Sequence, residues 1–442
     1  MLADFLHSLF GTWRGARVRF VVLRNYESLP TAIGNDIDIL VDDLTTAERI
    51  LLGCAQSAGY RLCHYVAFGS HSYYFTDDAL GRPIRIDLMT RLDWYGFQIL
   101  AAEDVFSDSR ERPPFRIPHP VHEAALKLLL RLLYHSYVPE KYRPFIREAF
   151  AADETAAVQA LTLPFGSRLA RWLVHEALAQ DWDGIERRRR WLLAALVVRN
   201  CLRRPRTTAA LWIGDTARRL RRALDPAGVS VALLGPDGSG KSTVARALLE
   251  RSDLPLYRAK SLCVHWKPEV FPRSRDGNGN AAASTAPHAR PARGALASGF
   301  YFLVHLTEFL IGAVVRLRPA LYANGMVVLD RYYYDFYVDL ARYRIRLPAS
   351  VVDLGCRVIP PADMVFILDA PSATLLSRKT EVPAGEADRQ RAAFRLLTDR
   401  LPNAFLVDAS QPLGRVINEI RRSVMQYLSV RAARQLPRQS GS

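Results

Sequence analysis

The sequence predicts an α/β protein of more than one domain: a C-terminal parallel sheet wrapped by helices, a smaller N-terminal α/β domain, and a helical connector between them. Three observations predict it. A glycine-rich stretch, GPDGSGKST at 235–243, stands between an apolar run and an amphipathic one, the order strand, loop, helix. Two later apolar runs, 326–329 and 365–368, each end in a carboxylate, as strands buried on both faces do when they run out toward a crevice. Near the N-terminus, GNDIDILVDD at 34–43 alternates acidic and apolar residues, the period of a half-buried strand. With 442 residues, 49% of them hydrophobic, the chain is long enough for two or three full cores. The expected boundaries are 1–118, 119–227 and 228–432, with 433–442 as a disordered tail.

No signal peptide is expected at the N-terminus, because Asp4 comes early and no basic segment precedes an apolar core. An apolar strand follows at 18–23. In the next strand alternate side chains share a face, so Asp36 and Asp38 point together while Ile37 and Ile39 point into the core. Asp87, in PIRIDLM, supplies a third carboxylate on another strand-like run. Asp36, Asp38 and Asp87 are therefore candidate metal ligands. This pattern resembles the nucleotidyltransferases of the DNA polymerase β type. The resemblance implies an α/β fold and two Mg²⁺ ions held for attack on an α-phosphate. The Gly-Ser pair that precedes the D-x-D in that family is missing here, where the residues read LRNYESLPTAIGN. Three readings stay open: active nucleotide transfer, a degenerate ligand-binding or regulatory domain, and acidic strand residues without a shared role.

The connector is helical by its apolar spacing at 121–137, 169–179 and 191–198. Between 187 and 222 it carries twelve arginines against one acid, Asp215, which is most of the chain's net charge of +16. Such a surface either attracts polyanions or is a solvated basic face. No aromatic-interleaved RNA module accompanies it, so nucleic acid is disfavoured against anionic lipid or the acceptor itself. The most lipid-like run, 299–315, is interrupted by His305 and Glu308 and falls short of the roughly twenty residues of a span. It is expected to be a core helix. Cys54, Cys63, Cys201, Cys263 and Cys356 show no metal-ligand spacing, so free thiols in a reducing cytoplasm are expected. The predicted location is cytoplasmic, peripheral to the inner membrane.

The glycine-rich stretch carries the most specific chemistry. Gly235, Gly240, Lys241 and Ser242 fill every fixed position of G-x-x-x-x-G-K-[ST]. Backbone N–H groups from Gly235 through Asp237, Gly238, Ser239 and Gly240 to Thr243 can turn into one concavity, and the helix that follows adds its positive end. Lys241 would reach the β- and γ-phosphates of ATP and Ser242 would ligate Mg²⁺. A metal-side carboxylate is expected at the end of a neighbouring strand, and Asp330 fits, with Arg331 beside it to meet a phosphate. The charged segment 377–391, SRKTEVPAGEADRQR, offers Arg378, Arg389 and Arg391 to a transferring phosphoryl group from a lid.

Together, GPDGSGKST, the DRY at 330–332, VFILDA at 365–370, SRKTE and FLVDAS at 405–410 resemble the thymidylate kinase family of nucleoside monophosphate kinases, over about 228–432. The resemblance implies that Arg331 contacts the acceptor phosphate and that Arg378 and Arg389 stabilise the group in transit. Two departures concern the acceptor. The stretch 264–295 is rich in Gly, Ala, Pro and Arg without periodicity, as a disordered or ligand-ordered loop would be. DRYYYDFYVDLARYR is more tyrosine-rich than a thymine pocket requires, and resembles a thymidylate-kinase-like group associated with bacterial surface polysaccharide genes. On a helix Tyr333 and Tyr337 would share a face as a stacking wall, with Arg342, Arg344 and Arg346 beyond it; the alternative is Asp330 as a helix N-cap with the tyrosines packed in the core. The expected activity is ATP-dependent phosphoryl transfer to a nucleoside monophosphate, sugar or sugar phosphate, with dTMP expected to be a poor acceptor and a glycan-pathway metabolite or glycolipid end the preferred one. The alternatives are a nucleotide-sensing or glycan-binding protein with little turnover, and a dual nucleotidyltransferase and kinase. No oligomeric state is predicted.

Overall fold

The computed structural model describes residues 1–78, 81–250, 253–265, 294–340, 343, 345–378 and 384–436. Two compact units emerge, one of residues 1–77, 83–220 and 431–442, the other of 78–82 and 221–430. The first joins the N-terminal sheet and the helical region.

In the first unit, strands β1 (Phe20–Arg24), β2 (Ile37–Val41), β3 (Arg61–Ala67), β4 (His71–Thr76) and β5 (Ile84–Met89) form one mixed sheet in the order β1-β2-β5-β4-β3. Only β2 and β5 run parallel, in a register that sets Asp38 opposite Asp87. Strand alternation sorts the two faces. Ile37, Ile39 and Val41 join Phe5, Leu9, Phe10 and Trp13 of helix Leu2–Gly15 in one core. Leu40 joins the helical core built on Pro120–His135, Glu154–Phe165 and Ser167–Ala179. Asp38 therefore stands on the helical side of the sheet. Two short hairpins follow the sheet: β6 (Leu92–Trp94) with β7 (Phe97–Leu100), and β8 (Arg110–Arg112) with β9 (Phe115–Ile117). Helices Arg189–Arg203 and Pro205–Leu224 carry the arginine-rich segment.

The second unit is the expected parallel sheet. Strands β10 (Val229–Leu234), β11 (Leu262–His265), β12 (Met326–Asp330), β13 (Met364–Asp369) and β14 (Ala404–Asp408) order as β11-β12-β10-β13-β14, every neighbour parallel. The central three are buried at every position, and the two edges are half exposed. That is why their sequences read as unbroken apolar runs. Because β10 is central, the glycine-rich loop leaves the sheet with β12 on one side and β13 on the other.

Helical structure over the lipid-like segment outruns the sequence expectation. A π turn at Ala313–Leu317 carries helix Ala295–Gly312 on to Tyr322. By length and composition this helix could cross a membrane, with mean hydropathy 1.6 and a third of its most apolar window buried. Phe302, Phe309, Ala313 and Leu317 pack on the tyrosines after β12. The last helix, Leu413–Gln435, continues past the boundary placed at 432. Cys54, Cys63, Cys201 and Cys263 are free thiols.

Candidate active site

The loop after β10 is shaped by close approaches that only glycine tolerates. Gly235 and Gly238 have φ of 140° and 84°. A Cβ on either would lie 2.4 Å from the Leu368 carbonyl oxygen or 2.6 Å from that of Leu375. Glycine is thus required both for the backbone region and for the space. Helix Lys241–Glu250 starts directly after Gly240 and aims its first N–H groups into the loop.

Lys241 is buried and its Nζ donates to the carbonyl oxygens of Gly235 and Pro236, each at 2.8 Å. Burial pushes this ammonium down to about 7; Arg331 adds to the depression, while Asp237, Asp335 and Asp330 oppose it. Ser242 Oγ donates to Asp330 Oδ2 at 2.6 Å. Asp330 closes β12, and the β10–β12 register sets it opposite Leu233, one residue short of the strand's end. His265 Nδ1, at the end of β11, lies 3.1 Å from the same Oδ2. Burial alone would raise the Asp330 carboxyl, but hydrogen bonds from His265 and Ser242 and the Lys241 charge hold it below its ordinary value. Its Oδ1 is buried with no hydrogen-bond partner among the described residues. A hydroxyl and an ionised carboxylate with a free buried oxygen are hard donors that suit Mg²⁺. Ser242 and Asp330 would hold it, and it would neutralise charge building on the phosphates.

Arg331 occupies the left-handed region at φ 69°, held there by its N–H to the Leu233 carbonyl at 3.0 Å. That turn sends the side chain back under the loop, where it is 8% exposed. Nη1 donates to Asp335 Oδ2 at 2.9 Å and Nη2 pairs with Asp237 Oδ1. A carboxylate of the glycine-rich loop is thereby tied to the exit of β12. On the other side, Asp369 at the end of β13 accepts from Arg391 at 2.9 and 3.1 Å and from Arg395 at 2.6 and 3.0 Å. Arg378 Nη1 donates to the Ala409 carbonyl at 3.1 Å. Arg389 pairs with Glu386 and donates to the Val338 carbonyl at 3.2 Å. Residues 379–383 of the lid-like segment, most of the stretch 264–295, and Arg342 and Arg344 lie outside the described residues.

The stacking wall expected of the tyrosines is not formed. Tyr332, Tyr333, Tyr334 and Phe336 are at most 3% exposed. Tyr333 donates its hydroxyl to the Val352 carbonyl at 2.6 Å, Tyr332 to that of Pro360 at 2.8 Å. Their rings meet Phe302 and Phe309 edge-on or tilted. The apolar helix above them takes the ring faces that a ligand would need. Sequence reasoning passed over His265, whose strand looked like the start of a loop, and Arg395, one helical turn beyond Arg391. A cavity of about 540 Å³ beside Ser242 and Asp330 is also lined by Arg246, Arg258, Cys263 and His265.

In the first unit Asp36, Asp38 and Asp87 do come together, with one oxygen of each within 4.8 Å of the others. Two arginines share the cluster. Arg85 Nη2 and Nε donate to Asp87 at 2.6 and 2.9 Å, and Arg24 pairs with Asp38 and lies 3.5 Å from Asp36. Burial pushes Asp87 up to about 6 against the opposing charge of Arg85, and burial raises Asp38 likewise.

No family model matches the chain. Thymidylate kinases of Xanthomonas campestris pv. campestris strains B100 and 8004 are 26% identical over 218 residues, covering 47% of this chain and 88% of theirs. A solved thymidylate kinase from Candida albicans is similar at 16% identity and a TM-score of 0.35, over 46% of this chain and 93% of its own. One from Ehrlichia chaffeensis is similar at 15% and 0.31, over 44% and 97%. The loop, its lysine and the strand-end carboxylate, together with the curated relatives, define a P-loop kinase, a phosphotransferase. Its homology is to thymidylate kinases, and it extends over about half of the chain.

Proposed function

We propose that the second unit transfers the γ-phosphoryl group of ATP, with Mg²⁺, to a nucleoside monophosphate. The observation that carries this is the set Lys241, Ser242 and Asp330 at the carboxyl ends of two adjacent parallel strands, where α/β sheets bind ligands. Lys241 leaves the loop carbonyls for the β- and γ-phosphates, and the loop N–H groups hold the anion in a site preorganised before it arrives. Arg331 is the acceptor-side cation, and Arg378, Arg389 and Arg391 reach the group in transit once they exchange their present partners. The acceptor follows the relatives, which are thymidylate kinases. Tyr333 is buried and presents no ring face to a sugar, so a sugar or sugar phosphate stays an acceptor to be tested beside dTMP. The test is a phosphoryl-transfer screen over nucleoside monophosphates, sugars and sugar phosphates, read by mass spectrometry. Fast ADP formation with dTMP supports the reading. Tight ATP binding without turnover on any acceptor would make the unit a nucleotide sensor.

For the first unit we propose a nucleotidyltransferase-like fold that binds a ligand without transferring nucleotide. Arg24 and Arg85 already neutralise two of the three carboxylate charges, so two divalent cations would leave the cluster strongly positive. The absence of pyrophosphate from any nucleoside triphosphate would agree; Mg²⁺-dependent release would overturn it.

A further inference from the structure

Helices Arg189–Arg203 and Pro205–Leu224 turn to solvent what such helices ordinarily bury. In the first, Leu192 and Leu196 face the core, while Trp191, Val198 and Leu202 are 76%, 54% and 77% exposed. Spaced seven and four residues apart, these three fall on one line along the helix. In the second, Thr208 and Asp215 are buried, while Trp212, Ile213 and Leu220 are 54%, 61% and 61% exposed. Ile213 and Leu220 are again seven apart. Two successive helices therefore present apolar, tryptophan-bearing stripes outward.

The charge on these faces is one-sided. Arg187, Arg190, Arg203 and Arg206 are exposed. The one acid between 187 and 222, Asp215, is turned inward and neutralised by Arg218 and Arg219 at 3.2 and 2.7 Å. Tryptophan and leucine on one stripe flanked by arginines, with no exposed acid, is the composition of a helix that lies in the headgroup region of a bilayer. Indole rings favour that boundary because one edge is polar and the body is not. A second copy of the chain is disfavoured, since it would bring an equally basic face against this one. Nucleic acid would use the arginines and leave the tryptophans and leucines in water.

We propose that these two helices dock the protein on an anionic lipid surface, inserting Trp191, Leu202, Trp212 and Ile213 while the flanking arginines meet lipid phosphates. The reading is independent of the phosphoryl-transfer chemistry, which uses residues of the other unit.

The test is co-sedimentation of the full chain with vesicles of phosphatidylcholine alone and with about 30% phosphatidylglycerol. Binding should require the anionic lipid and fall with salt, yet persist in part at about 0.5 M NaCl, where screening leaves only the apolar anchor. R187Q/R190Q/R203Q/R206Q should weaken partitioning at low salt by up to several hundredfold, since each of the four arginines is worth about fivefold. W191S/L202S/W212S should abolish the salt-resistant fraction. Both variants replace exposed side chains, and a thermal transition of the first unit equal to wild type, the transition that ATP does not shift, reports that they are folded. No preference for anionic vesicles, or binding unchanged in both variants, would overturn the proposal. So would a dimer in light scattering that W191S/L202S/W212S dissociates.

Discussion

Replacing Arg331 by alanine would remove the guanidinium that faces two buried carboxylates. Asp237 is 9% exposed and Asp335 is 2%, and the Arg331 guanidinium pairs with both. At an effective dielectric of about 20, each close pair is worth about 4 kcal/mol of attraction, which largely offsets desolvation in the intact cluster. Removing the cation alone leaves the desolvation without the attraction, a loss of about 3–5 kcal/mol. The left-handed backbone at φ 69° already costs arginine about 1 kcal/mol, a cost that alanine keeps and glycine relieves. The assay is thermal unfolding, following the transition that ATP shifts, so that the second unit is read by itself. Expected are a large loss for Arg331→Ala, a smaller one for Arg331→Gly, and recovery of most of it in D237N/D335N/R331Q, where no charge is left. The recovered variant then isolates chemistry: if Arg331 also meets the acceptor phosphate, its kcat/KM for acceptor stays low although it folds. A wild-type transition temperature for Arg331→Ala would refute the reasoning, because it would mean that the three side chains do not share a dry cluster.

Further outcomes follow from the other polar groups. Lys241→Ala should slow ADP formation by about a hundredfold or more, the loss expected for one preorganised charge at the transferring phosphates, measured in a coupled ATPase assay. Since burial holds the free Lys241 ammonium near 7 and polyphosphate favours its charged form, ATP binding at about pH 8 should take up a proton that Lys241→Ala does not, read by calorimetry in two buffers. Replacing Asp36 and Asp38 together by Asn should leave ADP formation unchanged, measured with the same assay, since neither belongs to the second unit. Asp87, pushed up to about 6, favours the native state in acid: that contribution is complete below about 4 and is lost as pH rises through 6. Asp87→Asn should therefore flatten the pH dependence of thermal stability between these values, with an unchanged profile counting against the burial argument.

The glycine-rich loop was legible because each of its residues answers a local demand. Gly235 and Gly238 need space, Lys241 and Ser242 need their chemistry, and strand and helix are written on either side. Asp330 was legible for the same reason, as a carboxylate closing an apolar run. What could not be read was what a side chain chooses among neighbours distant in sequence. The tyrosines after Asp330 have the spacing of a helix face, but the fate of Tyr333 depends on Phe302 and Phe309, twenty-four and more residues earlier. Nothing local distinguishes a ring waiting for a ligand from one covered by a helix. The outward turn of Trp191 and Leu202 was hidden likewise. Apolar spacing marks a helix as amphipathic without telling which stripe the core will take, and here Leu192 and Leu196 took it.

The two acidic centres show why carboxylate count is a poor guide to metal chemistry. The first unit gathers three carboxylates within one ion's reach, but Arg24 and Arg85 are bound to them, and their oxygens are spent on guanidinium hydrogen bonds. Beside Ser242 in the second unit stands Asp330, whose partners are a serine hydroxyl and an imidazole, and one of its oxygens is buried and keeps no hydrogen-bond partner among the described residues. A divalent cation gains most where negative charge is uncompensated and a donor is already desolvated, since its own dehydration must be offset by those contacts. By that measure Asp330 is the better Mg²⁺ ligand, and the asymmetry carries a direct consequence. Mg²⁺ with ATP should raise the transition of the second unit far more than Mg²⁺ alone raises that of the first, in differential scanning calorimetry of the full chain. A strong stabilisation of the first unit by Mg²⁺ alone, lost in Asp36→Asn and Asp38→Asn, would show instead that Arg24 and Arg85 yield their carboxylates to the ion.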